Sequence, residues 1–309
     1  VLAQDVPALR PHDQSIMIGT GKGGVGKSTV ATHLAAKSAA DGARTLLVCV
    51  TSQEDDDLGI RSGRGIHPDG PPVIDGEGLY RAIHDRAPLV PVREVRQNLD
   101  VVPGGTAVGQ IPGILMMRMM QDGPAVVQSL AQALEPISGW YDRIVFDSAP
   151  EQDTLEQLTV AASRWLAIPT RSDVSSINGL RRIATNFKLV RQQVNPYVEV
   201  AGAFLYASNP SATQLHDQVR TQMLEILGAS TPTLVKIVGY REKPAVLARA
   251  RGLLFWEYAA LLGDSAKSYD VAAGRAKASD VVPEAIVPLA KDMSDLVQEI
   301  LEHCGKAGT

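Results

Sequence analysis

Gly21-Lys22-Gly23-Gly24-Val25-Gly26-Lys27-Ser28 is the stretch that decides the fold of this 309-residue chain. It fits G-x-x-x-x-G-K-[ST], the pattern of a phosphate-binding loop. Ser15-Ile16-Met17-Ile18-Gly19 before it is an apolar run of strand length. Thr29 to Ala40 after it carries Val30, Leu34, Ala35 and Ala39 at helical spacing. In that strand–loop–helix setting, Gly21, Gly23, Gly24 and Gly26 let the backbone turn tightly around an anion. The loop N–H groups and the positive end of the helix then cradle the β- and γ-phosphates. Lys27 is expected to reach those phosphates and Ser28 to place its hydroxyl on Mg²⁺, with Val25 and Thr29 completing the nucleotide-binding stretch. The pattern needs one lysine, so Lys22 requires its own account. It is either a solvated surface lysine or a cation that reaches a phosphate across a dimer interface.

Outward from the loop, apolar strand-like runs alternate with helical segments. Strands are expected near 15–19, 44–50, 99–102, 142–147, 164–169, 199–207 and 234–238. Helices are expected near 27–40, 79–86, 124–135, 153–162, 174–193, 214–227, 244–250 and 284–302. The alternation predicts an α/β fold, a mostly parallel P-loop sheet with helices on both faces. Ligands bind such sheets beyond the carboxyl ends of the strands. The organisation reads as an N-terminal extension (1–13), a P-loop domain (14–262) and a C-terminal helical segment (263–309) packed on it. Gly59 to Gly78 reads as a long loop. Met116-Met117-Arg118-Met119-Met120 is either flexible core filler or an adaptable partner surface.

Composition sets bounds. The net charge of −4 excludes a molecule that is basic as a whole, so any nucleic-acid binding must rest on a local patch. The two cysteines, Cys49 in an expected buried strand and Cys304 in the expected tail, have no zinc or cluster spacing, and the six histidines form no metal-binding pair. No run approaches the roughly 20 apolar residues of a membrane helix. No signal-peptide pattern appears at 1–14, which makes a cytoplasmic location the expectation.

Tyr141-Asp142-Arg143-Ile144-Val145-Phe146-Asp147 is a strand ending in an aspartate, and Asp147 is the expected second metal contact. With these residues in place, Lys22 to Thr29 resembles the deviant Walker A motif of the ParA/MinD family of ATPases, nearest its ParA/Soj branch. Phe146-Asp147-Ser148-Ala149-Pro150 is similar to that family's Walker B segment. Asn98 to Gly105, Ile168 to Thr170 with Ser175 to Leu180, and Tyr240 to Glu242 with Ala248 to Gly252 follow its later segments in order. The resemblance implies ATP and Mg²⁺ as cofactors and a homodimer with ATP sandwiched between subunits. Lys22 would reach the partner's nucleotide. It also implies nonspecific DNA binding at the nucleoid, a ParB-like centromere-binding partner that stimulates hydrolysis, and a role in plasmid or chromosome partition. Asn209 falls at the family's adenine position.

The sequence also departs from the family. Thr51 stands where the family has an aspartate that helps position the attacking water, and a hydroxyl is a far weaker base. The acidic run Glu54 to Asp57, or Asp153, could substitute. Lys22, Lys27 and Thr51 are therefore the candidate catalytic residues, with ATP binding better supported than hydrolysis. Gly239-Tyr240 replaces the Pro-Arg that often closes the last strand. Between 181 and 251 ten basic residues face four acidic ones, a net +6 that suggests a phosphate-binding surface. Arg181, Arg182, Lys188, Arg241, Arg249 and Arg251 are its candidates. Alternatives are a hydrolysis-poor nucleotide switch and a MinD-like or other cargo-positioning ATPase. The acidic polar face of the C-terminal helix argues against membrane binding, and two cysteines do not suffice for an iron–sulfur carrier.

Overall fold

A computed structural model describes residues 8–53, 75–148, 152–209, 211–266, 273–275, 277 and 281–306. The acidic run at 54–57 and most of the expected long loop lie outside the described residues. In chain order the elements are β1 (Ser15–Ile18), α1 (Lys27–Ala40), β2 (Thr45–Val50), α2 (Glu77–His84), β3 (Val92–Arg96) and β4 (Leu99–Val102). Then come α3 (Ile111–Asp122), α4 (Ser129–Ser138), β5 (Arg143–Ser148), α5 (Asp153–Ala161), β6 (Trp165–Thr170) and α6 (Val174–Gln193). The last are β7 (Glu199–Ser208), α7 (Thr213–Leu227), β8 (Val238–Gly239), α8 (Glu242–Ala250), α9 (Phe255–Ala260) and α10 (Ile286–Lys306).

The strands form one eight-stranded sheet in the order β3-β4-β2-β5-β1-β6-β7-β8, parallel throughout except for the β3–β4 pair. Side chains alternate across it as strand geometry requires. Met17, Leu46, Val48, Ile144, Phe146, Leu166 and Ile168 enter one core with α2, α4, α5, α6 and α7. Ile16, Ile18, Leu47, Val145 and Ala167 enter the other with α1, α8, α9 and α10. Burial on both faces is why these strands read as continuous apolar runs. Each fully buried Val, Leu or Ile side chain is worth about 1.5–3 kcal/mol. On α10, Leu289, Met293, Leu296, Val297 and Ile300 are all sequestered in the second core.

Several elements differ from the sequence expectations. β3 was not anticipated: its Val-Arg-Glu-Val-Arg run is charged, and Glu94 takes φ +50° within it. The methionine segment is helical and is not core filler. Ile111 and Leu115 of α3 face inward, Arg118 donates to Ile83 O at 3.0 Å, and Met116, Met117 and Met120 are 70, 64 and 88% exposed. The strand expected over 234–238 shrinks to Val238–Gly239. The cause is α10, whose Glu299 carboxylate takes Val235 N and Lys236 N, each at 2.8 Å. The same helix runs past the expected end, so Cys304 is a core residue rather than a tail residue, and burial pushes its thiol up to about 12.

Candidate nucleotide site

The loop 21–28 leaves β1 at the carboxyl edge of the sheet and passes straight into α1. Gly24 (φ +73°) and Gly26 (φ +85°) take the left-handed turns that reverse the chain. The walls around the loop are tight. A Cβ at Gly21 would lie 2.6 Å from Gly179 O of α6, and one at Gly26 would lie 2.3 Å from the Tyr206 ring of β7. Gly26 is the N-cap of α1, no side chain caps that helix, and its first turn holds no acidic residue. Its N-terminus is therefore electropositive and open to an anion.

Two lysines flank this point. Lys27 is buried, and its Nζ donates to Lys22 O at 3.0 Å. Lys22 Nζ lies 2.6 Å from Asp173 Oδ1 and 3.4 Å from Ser176 Oγ, so within one chain it is ion-paired rather than solvated. Asp173 is the N-cap of α6 and accepts Ser176 N at 2.9 Å. Its partial burial works against ionisation, but hydrogen bonds from Lys22 and Ser176 outweigh that and hold the carboxyl at about 2.

Parallel pairing brings the remaining candidates to the same edge. Asp147 pairs with Ile18, the last residue of β1, and Ser148 Oγ donates to Ile18 O at 3.0 Å. Asp147 is buried beside the start of the loop. Thr51 follows β2 directly, also buried; its Oγ1 accepts Gln53 N at 3.1 Å and its carbonyl accepts Gly105 N at 2.9 Å. Asp153, the other candidate for the missing carboxylate, is ion-paired. It lies 2.6 Å from Arg182 Nε, also accepts Asn186 Nδ2, and the Arg182 hydrogen bond lowers its pKa. Glu156 lies fully buried behind it, accepting Asn186 Nδ2 at 2.8 Å, and burial pushes its carboxyl up to about 7.

On the other side of the loop opens a cavity of about 490 Å³. Gly24, Gly26 and Thr29 of the loop and of α1 line it, together with Arg171, Tyr206, Tyr240 and Glu242. Ala207 at its wall takes φ +52°, a strained conformation of the kind that clusters at ligand sites. His33 lines its floor. Phe255 N donates to His33 Nε2 (3.0 Å), so the ring proton sits on Nδ1 and is donated to Thr29 O (2.7 Å). Burial holds this imidazole neutral, with its pKa down at about 4.

Asn209 is exposed, and its Oδ1 accepts Ser211 N at 3.1 Å, an ordinary turn contact. The basic candidates do not share one surface. Arg181, Arg182 and Lys188 are on α6, which packs in the first core, while Arg241, Arg249 and Arg251 surround α8, which packs in the second. Arg182 is committed to Asp153, Arg241 to Asp292 (2.7 Å), Arg249 to Thr29 Oγ1 (3.0 Å) and Arg251 to the Tyr258 hydroxyl. Arg181 and Lys188 are exposed. Asp173, Tyr206 and Arg171 escape sequence reading. Lys22 and Asp173 are 151 residues apart, and only the turn residues at the ends of β6, β7 and β8 hint at a common edge.

Among the described residues no cluster of three His, Cys, Asp or Glu could hold a metal alone. Mg²⁺ takes one or two protein oxygens and completes its shell with water and phosphate. The glycine walls, the open helix end and a donor set of Ser28 and Asp147 fit such an ion bound together with a nucleotide.

A glycine phosphate loop at the carboxyl edge of this sheet, with an aspartate ending the neighbouring strand, defines a P-loop nucleoside triphosphatase. The chain belongs to the ParA/MinD-type family of P-loop ATPases, and the AAA-domain family model AAA_31 matches residues 13–200. It is 32% identical over 207 residues to the chromosome partitioning protein ParA of Myxococcus xanthus, covering 66% of this chain and 68% of that one. The fold matches the McdA–ATP complex of Cyanothece with a TM-score of 0.70 at 18% identity, over 94% of this chain and 97% of that one. It also matches the septum site-determining protein MinD of Pyrococcus horikoshii, complexed with Mg-ADP, with a TM-score of 0.61 at 14% identity, over 94% and 97% of the two chains. Among the described residues no helix is long and apolar enough to cross a membrane.

Proposed function

We propose that this chain is a cytoplasmic, nucleoid-associated partition ATPase of the ParA type. It binds Mg²⁺-ATP, dimerises around the nucleotide, holds DNA without sequence preference and is released by a ParB-like partner. The observation that carries this reading is Lys22, a second lysine at the rim of a phosphate loop that already has Lys27. On this reading the phosphates lie along 21–29, and the ribose and base extend into the adjoining cavity. Ser28 and Asp147 hold Mg²⁺, which neutralises phosphate charge when bound. Lys22 exchanges Asp173 for the nucleotide of a second copy. DNA contact rests on the outward cations of α6, Arg181 and Lys188, with the residues around α8 as a separate contribution.

Thr51 favours a second reading, a nucleotide switch that turns over slowly, because no carboxylate stands at that position. A membrane-positioning role has less support, since the apolar side of α10 is spent on the core. Analytical ultracentrifugation with and without Mg²⁺-ATP, paired with filter binding of random-sequence duplex DNA, tests the proposal. The expected outcome is an ATP-dependent dimer whose DNA retention at about 50 mM salt falls by orders of magnitude near 200 mM. A monomer that retains no DNA at low salt in the presence of ATP would overturn it.

A further inference from the structure

The cavity beside the phosphate loop has an aromatic lip. Tyr240 follows β8, and its backbone N–H donates to Ser208 O of β7 at 3.2 Å. Its neighbours are clamped by one carboxylate. Asp292 of α10 accepts Gly239 N at 3.1 Å and Arg241 Nη1 at 2.7 Å. The Tyr240 backbone is thus pinned from two elements, whereas its side chain is 55% exposed at the cavity mouth. The phenol is nevertheless held in place, because its hydroxyl donates to Glu242 Oε2 at 2.7 Å. Glu242 opens α8 and lines the same cavity, so the contact that fixes the ring belongs to the site. Val246 and Ala245 of α8 supply an apolar wall beside it.

A fixed backbone, a half-bare aromatic ring and a cavity continuous with an anion-binding loop together suit a ligand with phosphates at one end and a flat heterocycle at the other. We propose that Tyr240 stacks on the base of the bound nucleotide and that Glu242 is its positioning residue, holding the ring over the cavity through the hydroxyl–carboxylate bond. The inference rests on the nucleotide reading above and adds to it the side chains that would recognise the base. It places base recognition at a position where the sequence departs from the family's Pro-Arg, and moves it away from Asn209, whose side chain serves a turn.

Calorimetry of the full chain with Mg²⁺-ATP and with inorganic tripolyphosphate separates the base-derived part of binding from the phosphate-derived part. Tyr240→Ala is expected to weaken ATP binding roughly tenfold, since stacking on one base is worth about 1–3 kcal/mol. It should leave tripolyphosphate binding within about twofold, because Tyr240 lies outside the glycine loop that is expected to hold the phosphates. Tyr240→Phe keeps the ring and loses the tether, and Glu242→Ala loses the tether from the other side; both should weaken ATP by a smaller and similar factor. ATP binding unchanged in Tyr240→Ala, or an equal loss for both ligands, overturns the inference. Wild-type protein that binds tripolyphosphate and ATP equally well overturns it too, since the base would then contribute nothing. Wild-type protein that binds neither ligand fails differently, because the nucleotide reading itself falls with it.

Discussion

Replacing Gly26 by alanine separates two physical costs that the loop combines. The first is conformational. Gly26 has φ +85° and ψ +17°, a left-handed pair that costs an alanine about 1 kcal/mol. The second is steric. The new Cβ would sit 2.3 Å from one carbon of the Tyr206 ring and 2.4 Å from another, so the ring must shift. Overpacking of this kind typically costs about 1–3 kcal/mol. Gly24 supplies the control: its φ is +73°, but a Cβ there meets nothing within 4 Å. Gly24→Ala should therefore cost about 1 kcal/mol and Gly26→Ala about 2–4 kcal/mol. Equilibrium urea unfolding of both variants reads the difference directly. Adding Tyr206→Ala to Gly26→Ala should recover the steric share as a favourable coupling in a double-mutant cycle. Equal destabilisation by the two glycine variants, or additivity with Tyr206→Ala, would refute the wedge between loop and β7.

Two buried groups should give stability opposing pH dependences. His33, neutral in the fold with a pKa near 4, contributes fully above its ordinary value of 6.5 and loses about 3 kcal/mol as pH falls to 4. Glu156, raised to about 7, works the other way: its contribution is complete below its ordinary 4.5 and about 3 kcal/mol is lost as pH rises through 7. Wild-type stability from these two groups should thus stay nearly level between pH 7 and 4.5, while Glu156→Gln should lose stability steadily over that range. Urea midpoints that are flat in Glu156→Gln would disprove the pairing. Thr51→Asp should raise steady-state ATP turnover at least tenfold by returning a carboxylate to the end of β2. Phosphate release unchanged by that substitution would show that Thr51 does not limit hydrolysis.

The parts of this protein legible in its sequence are those where one physical demand dominates. β1, β2, β5 and β6 are buried on both faces, so their apolar runs admit few other readings, and the glycines at 24 and 26 are needed by the loop's own backbone. Helix α6 matched its expected span of 174–193, opened by its cap Asp173. What stayed hidden depends on distant partners. β3 carries charges because it lies at the sheet margin, and its Arg96 is used by Glu257, 161 residues away. α3 begins Ile-Pro-Gly, which reads as a breaker, although proline is well suited to a first helical turn. The stretch expected as a strand over 234–238 is drawn off by a glutamate on α10. The basic count between 181 and 251 could not show that its members divide between opposite faces of the sheet, or that most are held by partners within the fold.

Asp292 and Glu299 of α10 have one more consequence. β8 is a margin of the sheet, and a bare margin is a template on which a neighbouring molecule can lay its own strand. Here only two residues remain in ladder geometry, and the N–H groups of Val235, Lys236 and Gly239 are already taken by Glu299 and Asp292. This border therefore offers a neighbouring copy few free N–H groups to pair with, which guards it against edge-to-edge aggregation.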